Sequence, residues 1–209
     1  MKLTDFFNKT YCINLNRRLD RWEECLIEFN KHNITNVERF IAVDGKELPQ
    51  VSNGFVTPSR LALVLTNIKI LEEAIKNNYS SILILEDDIE FNDQVNNIEE
   101  YFKFLPDDWD MLYFGGNHNT HMGVKPPITI NEKVCKLHKT YSTHCVAINK
   151  KCFQKVLDRI KNKDNALDVL YVELQNNLNV YSFYPVIATQ RVSFSDIENK
   201  LTDYKWLIK

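Results

Sequence analysis

Three consecutive acids, Glu86, Asp87 and Asp88, follow directly on the apolar run Ile82-Leu83-Ile84-Leu85. Carboxylates that close repel, and each raises the cost of ionising its neighbours unless something positive sits among them. A hard divalent cation carrying a phosphate-rich ligand answers that need, because carboxylate oxygens suit Mg2+ or Mn2+. Alternate residues of an extended segment share a face, so Glu86 and Asp88 point the same way. The competing reading is a solvated acidic turn at a strand end. A second chemically capable cluster is basic: Arg17, Arg18 and Arg21. Arginine forks grip phosphate bidentately, so one of the three could hold a diphosphate. Equally, Arg18 and Arg21 could pair with Asp20, Glu24 or Glu28 on an exposed helix face. His118 and His121 with Cys135 and His138 have the spacing of a zinc site, a pattern that also arises by chance.

The elements around these residues must bring them together. An unbroken apolar run ending in charge reads as a strand buried on both faces, which belongs inside an α/β sheet. Ligands of such sheets gather at the carboxyl ends of the strands, where Glu86 to Asp88 fall. Residues 10–15 read as a first strand, and the arginines lie where it passes into a helix over 16–33. In that helix Leu19, Trp22, Leu26 and Phe29 recur at helical spacing and are the expected buried stripe. Residues 37–43 read as a second strand closed by the Asp44-Gly45 turn signal. Pro58, capped by Thr57, opens a helix to about residue 77 whose buried stripe is Leu61, Leu65, Ile68, Leu71 and Ile75. Further strands are expected over 109–114 and 142–148, helices over 150–161 and 166–177, and an extended stretch over 180–189. Strands and helices alternate without repeats or low-complexity linkers, which argues for an α/β sheet in one domain over 1–209.

Bulk properties narrow the function. The 209 residues allow one substantial domain. A net charge of −2 gives no basic face for nucleic acid. No segment approaches the roughly 20 apolar residues of a membrane span, and the N-terminus has no apolar stretch of signal-peptide length. Five cysteines without framework spacing suit free thiols in a reducing compartment, so the expected location is cytoplasmic. The glycine-rich fingerprints of dinucleotide sites and P-loops are absent, so a bound phosphate would rest on a metal and basic side chains.

Several of these segments together resemble glycosyltransferase family 25, which includes lipopolysaccharide sugar transferases and galactosyltransferases acting on collagen hydroxylysine. Ile13-Asn14-Leu15-Asn16-Arg17-Arg18-Leu19-Asp20-Arg21 is similar to the family's opening signature, and Ala42-Val43-Asp44-Gly45 to its second motif. Leu83-Ile84-Leu85-Glu86-Asp87-Asp88-Ile89 resembles the third, and Trp109 to Gly116 the next block. Pro185, Gln190 and Ser195-Asp196-Ile197 fall in the family's order near the C-terminus. The resemblance runs from Thr10 to Ile197 and implies a GT-A-like nucleotide-binding α/β/α sandwich with a mixed, mostly parallel sheet. It implies a UDP-sugar donor, Mn2+ or Mg2+ at the acidic strand end, and inverting transfer of galactose or glucose to a glycan or a glycoprotein or collagen-like acceptor. Asp88 is then the expected direct metal ligand with Glu86 assisting. Asn14, Arg17, Arg18, Arg21, Asp44, Gly45 and Asp87 are expected to bind the donor, with Asn14 and Asp44 toward the uridine. Asp44-Gly45 could equally be only a tight turn. An inverting transfer needs a base for the acceptor hydroxyl. Asp168 resembles a family aspartate and is flanked by apolar residues, and Asp110 is the second choice.

One departure bears on activity. Family members carry Cys-x-x-Ser-His on the helix before the acidic strand, whereas this chain reads Leu63-Val64-Leu65-Thr66-Asn67. Asn67 cannot carry a positive charge as histidine can. The alternative to an enzyme is therefore a catalytically inactive GT-A-like protein that binds nucleotide or glycan. A phosphoacceptor receiver domain is disfavoured by the order of its acids.

Overall fold

The computed structural model describes residues 1–50, 56–118 and 126–204. Its centre is an eight-stranded sheet in the order β2-β1-β3-β8-β5-β9-β7-β6. These strands are β1 (Lys9–Asn14), β2 (Val37–Ile41), β3 (Ser81–Glu86), β5 (Met111–Tyr113), β6 (Ile128–Thr129), β7 (Val134–Lys136), β8 (Cys145–Asn149) and β9 (Val180–Phe183). β1 runs parallel to β2 and β3, and β5 parallel to β9. β8 is antiparallel to both β3 and β5, β7 to β9, and β6 to β7. Six of the eight strands therefore point one way, with β7 and β8 opposed, so the sheet is mixed and mostly parallel.

Alternation along β3 explains why its apolar run has no polar interruption. Ile82 and Ile84 face one core, with α2 (Pro58–Lys76), α4 (Phe153–Ile160) and α5 (Leu167–Gln175). Leu83 and Leu85 face the other, with α1 (Leu19–Lys31) and α3 (Ile98–Phe102). A strand between two helical layers must be apolar on both faces, and the result is an α/β/α sandwich. α2 starts as its sequence dictates, with Pro58 in the first turn and the Thr57 hydroxyl accepting from the Arg60 backbone N–H.

Two buried stripes differ from the simple periodic reading. In α1 the inward residues are Arg21, Cys25 and Phe29, four apart, while Leu19 and Leu26 are about half exposed. The helix is turned so that a cation faces the acids at the end of β3. That electrostatic match outweighs burial of two leucines, because an unpaired buried acid costs more than an exposed Leu. In α2 burial extends beyond one stripe to Thr66 and Asn67, and Ile75 is exposed.

Two small sheets lie outside the main one. β4 (Ile89–Phe91) pairs antiparallel with β10 (Ala188–Gln190), and β11 (Ser193–Ser195) with β12 (Lys200–Thr202) in a hairpin. Gly115 makes the first possible: a Cβ there would lie 2.0 Å from the Ala188 carbonyl oxygen. Among the described residues, no helix is long and apolar enough to cross a membrane. All five cysteines are buried and free.

Candidate functional site

The chain runs from β1 outward to β2 and returns past β1 to β3, so the connections leave β1 and β3 in opposite directions. A crevice opens beyond the carboxyl ends of two strands so connected. Here it is a cleft of about 810 Å3. Nine of the eleven residues singled out in the sequence line it; the exceptions are Asn14 and Asp110.

The three acids play three parts. Asp87 turns back into the protein, where Oδ2 accepts from Asn14 Nδ2 at 2.5 Å and Oδ1 pairs with Arg21 at 2.5 Å. Asp88 is buried, and its Oδ2 meets Arg21 at 3.2 Å and Gln190 Nε2 at 3.2 Å. Its Oδ1 is buried with no hydrogen-bond partner. Glu86 accepts from the Thr143 hydroxyl at 2.6 Å. Burial first and the charge of Asp88 second push the Glu86 carboxyl up to about 8. Asp87 is also raised, by burial, against the opposing pull of Arg21. The cation that the acidic run calls for is thus partly supplied by Arg21, which α1 delivers only 5% exposed. Arg21 also donates to the Phe194 carbonyl at 2.9 Å, which makes it an internal strut.

Arg17 and Arg18 stay at the cleft wall. Arg17 pairs with Asp44 at 2.7 Å and Asp196 at 2.8 Å, and Arg18 with Asp20 at 2.8 Å and with Asp196. Burial pushes the Asp44 carboxyl up, but the hydrogen bond from Arg17 and that from the Lys46 backbone outweigh it, and the net shift is downward. Asp44 is therefore held by Arg17 as well as capping the short turn at Gly45. Gly45 is demanded by closeness: a Cβ would lie 2.7 Å from Ser59 Cα at the start of α2. Asn14 is 1% exposed, bonded to Asp87 and accepting two bonds from Arg39 at 2.9 and 2.6 Å. It braces the end of β1 and does not face the cleft.

Asp168 opens α5 on the opposite wall. Its carboxyl accepts from the Val169 backbone N–H at 2.9 Å, and burial nonetheless raises its pKa. Asp110 lies at the other end of the sheet, at the amino end of β5, bonded to the Asn179 backbone at 2.7 Å with Lys151 at 3.6 Å. Because β5 and β3 run the same way, the residue before β5 cannot reach the carboxyl end of β3. The second choice of base therefore lies outside the cleft. Thr66 accepts from the Val43 backbone at 3.0 Å and so ties the Asp44 segment to α2. Asn67 is 2% exposed, bonded to the Leu63 carbonyl and approached by the Tyr171 hydroxyl at 3.4 Å. The side chain standing where the family has histidine is internal and holds α2 to α5.

Among the described residues, no group of three or more His, Cys, Asp or Glu converges as metal ligands. β3 ends at Glu86 and Asp88 lies in the turn that follows, so the two do not alternate along one strand; the orphaned Asp88 Oδ1 and the nearby Glu86 carboxyl nevertheless offer hard oxygen atoms at the strand end. Mg2+ and Mn2+ are commonly bound by one or two carboxylates plus substrate phosphates and water, so these two residues fit such an ion. For the histidine-cysteine pattern, His121 lies outside the described residues. His118 Nδ1 is 2.8 Å from the Thr140 hydroxyl, and Cys135 Sγ is directed to the Ser182 carbonyl at 3.6 Å. Thr143, Arg60 and the Arg39 brace carried no readable signal, because each reaches its place through chain distant in sequence.

Residues 7–171 match the family model described as glycosyltransferase family 25 (LPS biosynthesis protein). A glycosyltransferase 25 family member from Anopheles gambiae is 31% identical over 50% of this chain and 21% of that protein. One from Aedes aegypti is 30% identical over 50% of this chain and 20% of that protein. The aligned part is about a fifth of the length of these curated relatives. Among solved structures, the crystal structure of a glycosyltransferase involved in the glycosylation of the major capsid of PBCV-1 is similar, with a TM-score of 0.52. The match covers 91% of this chain and 95% of that one at 11% identity, a likeness of fold alone.

Proposed function

The chain belongs to glycosyltransferase family 25 and has a GT-A-like α/β architecture, and from this premise we propose that it is a metal-dependent transferase of a hexose from a UDP-sugar to a hydroxyl acceptor. The observation that carries the reading is one cleft that unites the unpartnered Asp88 Oδ1, the Glu86 carboxyl, Arg17 and Arg18, and Asp168. Asp88 and Glu86 would hold Mn2+ or Mg2+, which neutralises charge developing on the departing diphosphate. Arg17 and Arg18 would grip the diphosphate with planar forks. Thr143 fixes the Glu86 carboxyl by its hydrogen bond. Asp168, on the facing wall and raised by burial, would take the proton of the acceptor hydroxyl as the bond to the sugar forms. The donor would be UDP-galactose or UDP-glucose, the acceptor a glycan or a hydroxylysine-type side chain, and the outcome inversion.

The test is UDP release from a panel of UDP-sugars, with and without acceptor glycans or hydroxylysine peptides, in Mn2+ and in EDTA. Asp88→Ala is expected to abolish metal-dependent release while keeping the fold. Asp168→Asn is expected to lower kcat by about 10²- to 10⁴-fold with donor binding kept. Normal metal dependence in Asp88→Ala would overturn the metal assignment. A second reading, a non-catalytic nucleotide or glycan binder, is favoured by Asn67 in place of the family histidine. Metal-dependent UDP binding without UDP release in the presence of donors and acceptors would favour that reading instead.

A further inference from the structure

Beyond the arginines' own role, the cleft contains an anion that belongs to the protein. Asp196, in the turn between β11 and β12, places one carboxylate oxygen on each of two arginines. Oδ1 accepts from Arg17 at 2.8 Å and Oδ2 accepts from Arg18. Two residues on, Glu198 pairs with Arg60, a third arginine of the cleft wall, at 3.2 Å. A carboxylate bridging two guanidinium forks makes the same demand on them as a phosphate does. We propose that Arg17 and Arg18 form a phosphate seat that the Asp196 carboxylate fills in the structure, and that a donor diphosphate takes the seat by evicting Asp196 and lifting the β11–β12 hairpin. The inference rests on the nucleotide-sugar reading of the cleft and adds the way its entry is controlled.

Charge makes eviction necessary. Arg17, Arg18 and Arg60 are paired with four carboxylates: Asp20, Asp44 and Glu198 each meet one of them, and Asp196 meets both Arg17 and Arg18. These pairs occupy the arginines, and a diphosphate placed beside Asp196 would meet like charge. Once Asp196 moves out, Arg17 and Arg18 lose the carboxylate they share and the N–H groups it held can turn to a phosphate. The hairpin has few apolar ties to the body. It is outside the main sheet, and Phe194 and Leu201 on it are 46% and 70% exposed. It is tied to the body by ion pairs at partly exposed side chains and by the Arg21 bond to the Phe194 carbonyl. An element with few buried apolar contacts opens readily. A bidentate arginine–phosphate contact is the stronger competitor.

The test is calorimetric titration of the whole chain with UDP, in Mn2+ and in EDTA, for wild type, Asp196→Asn and Glu198→Gln. Amide hydrogen exchange of residues 193–202 is followed with and without UDP. The expected result is UDP binding about 5- to 10-fold tighter in Asp196→Asn at low salt, the gain shrinking as salt screens the charges. Glu198→Gln is expected to give a smaller gain, and saturating UDP to speed exchange in the wild-type hairpin. Wild-type binding with equal or weaker affinity in Asp196→Asn, or a hairpin that UDP protects, overturns the eviction and leaves the nucleotide site standing. Absence of UDP binding in every form overturns the nucleotide-sugar reading itself.

Discussion

Glu86 is a carboxyl whose ionisation the fold resists. Its carboxyl is raised to about 8 from an ordinary 4.5, first by burial and then by Asp88. Below about pH 4.5 the group is protonated in folded and unfolded chains alike and costs nothing. As pH rises toward 8 the unfolded chain gives up the proton and the folded chain keeps it, so stability falls at about 1.4 kcal/mol per pH unit at most. In chelated protein Glu86→Gln, a neutral isostere, should raise Tm clearly at pH 8 and hardly at all at pH 4.5. Equal shifts at both pH values would show that Glu86 is not held neutral. This arrangement also explains why the acidic run was legible in the sequence and its internal division was not. Three adjacent carboxylates announce a demand for positive charge. That Arg21 meets part of it, leaving one oxygen of Asp88 over, depends on the rotation of α1.

The elements that frame the cleft are placed by close backbone approaches as much as by apolar stripes. β10 can pair with β4 only because Gly115 lets the Ala188 carbonyl lie where a side chain would begin. Gly115→Ala is expected to destabilise the protein by about 1–3 kcal/mol, as overpacking against backbone does. Because Gln190 on β10 donates to Asp88 beside β4, it should also weaken the proposed metal-dependent transfer; urea denaturation and donor kinetics on one sample check both. An unchanged midpoint would show that β10 moves aside freely. β4, β6 and β7, and the β11–β12 hairpin, were not legible as strands beforehand. Each is two or three residues long, too short for a period of two to stand out, and each is defined by a partner remote in sequence. The long elements, β1, α1, α2 and β3, were legible within a few residues, because each carries enough apolar positions to specify its own period.

Across the whole molecule, the sheet interior and the cleft cover are held by different forces. β3 and β8 lie between neighbours on both sides and pack helices on both faces. The hairpin over the cleft is anchored chiefly by charge. Native-state hydrogen exchange should therefore find the slowest amides in β3 and β8 and much faster ones over 193–202, with added salt speeding the hairpin alone. Uniform protection would mean that the cover is part of the core. The α/β class, the family, the acidic strand end and the arginine turn were determined by the sequence itself, since periodicity and residue type are local properties that each segment carries. Tertiary structure alone decided which groups share the cleft. It turned Asn14 and Arg21 inward as braces, left Asp110 at the far end of the sheet, and brought Asp196 onto Arg17 and Arg18 across 178 residues or more. Those outcomes depend on strand direction, helix rotation and the pairing of distant charges, and such quantities exist only once the chain has closed on itself.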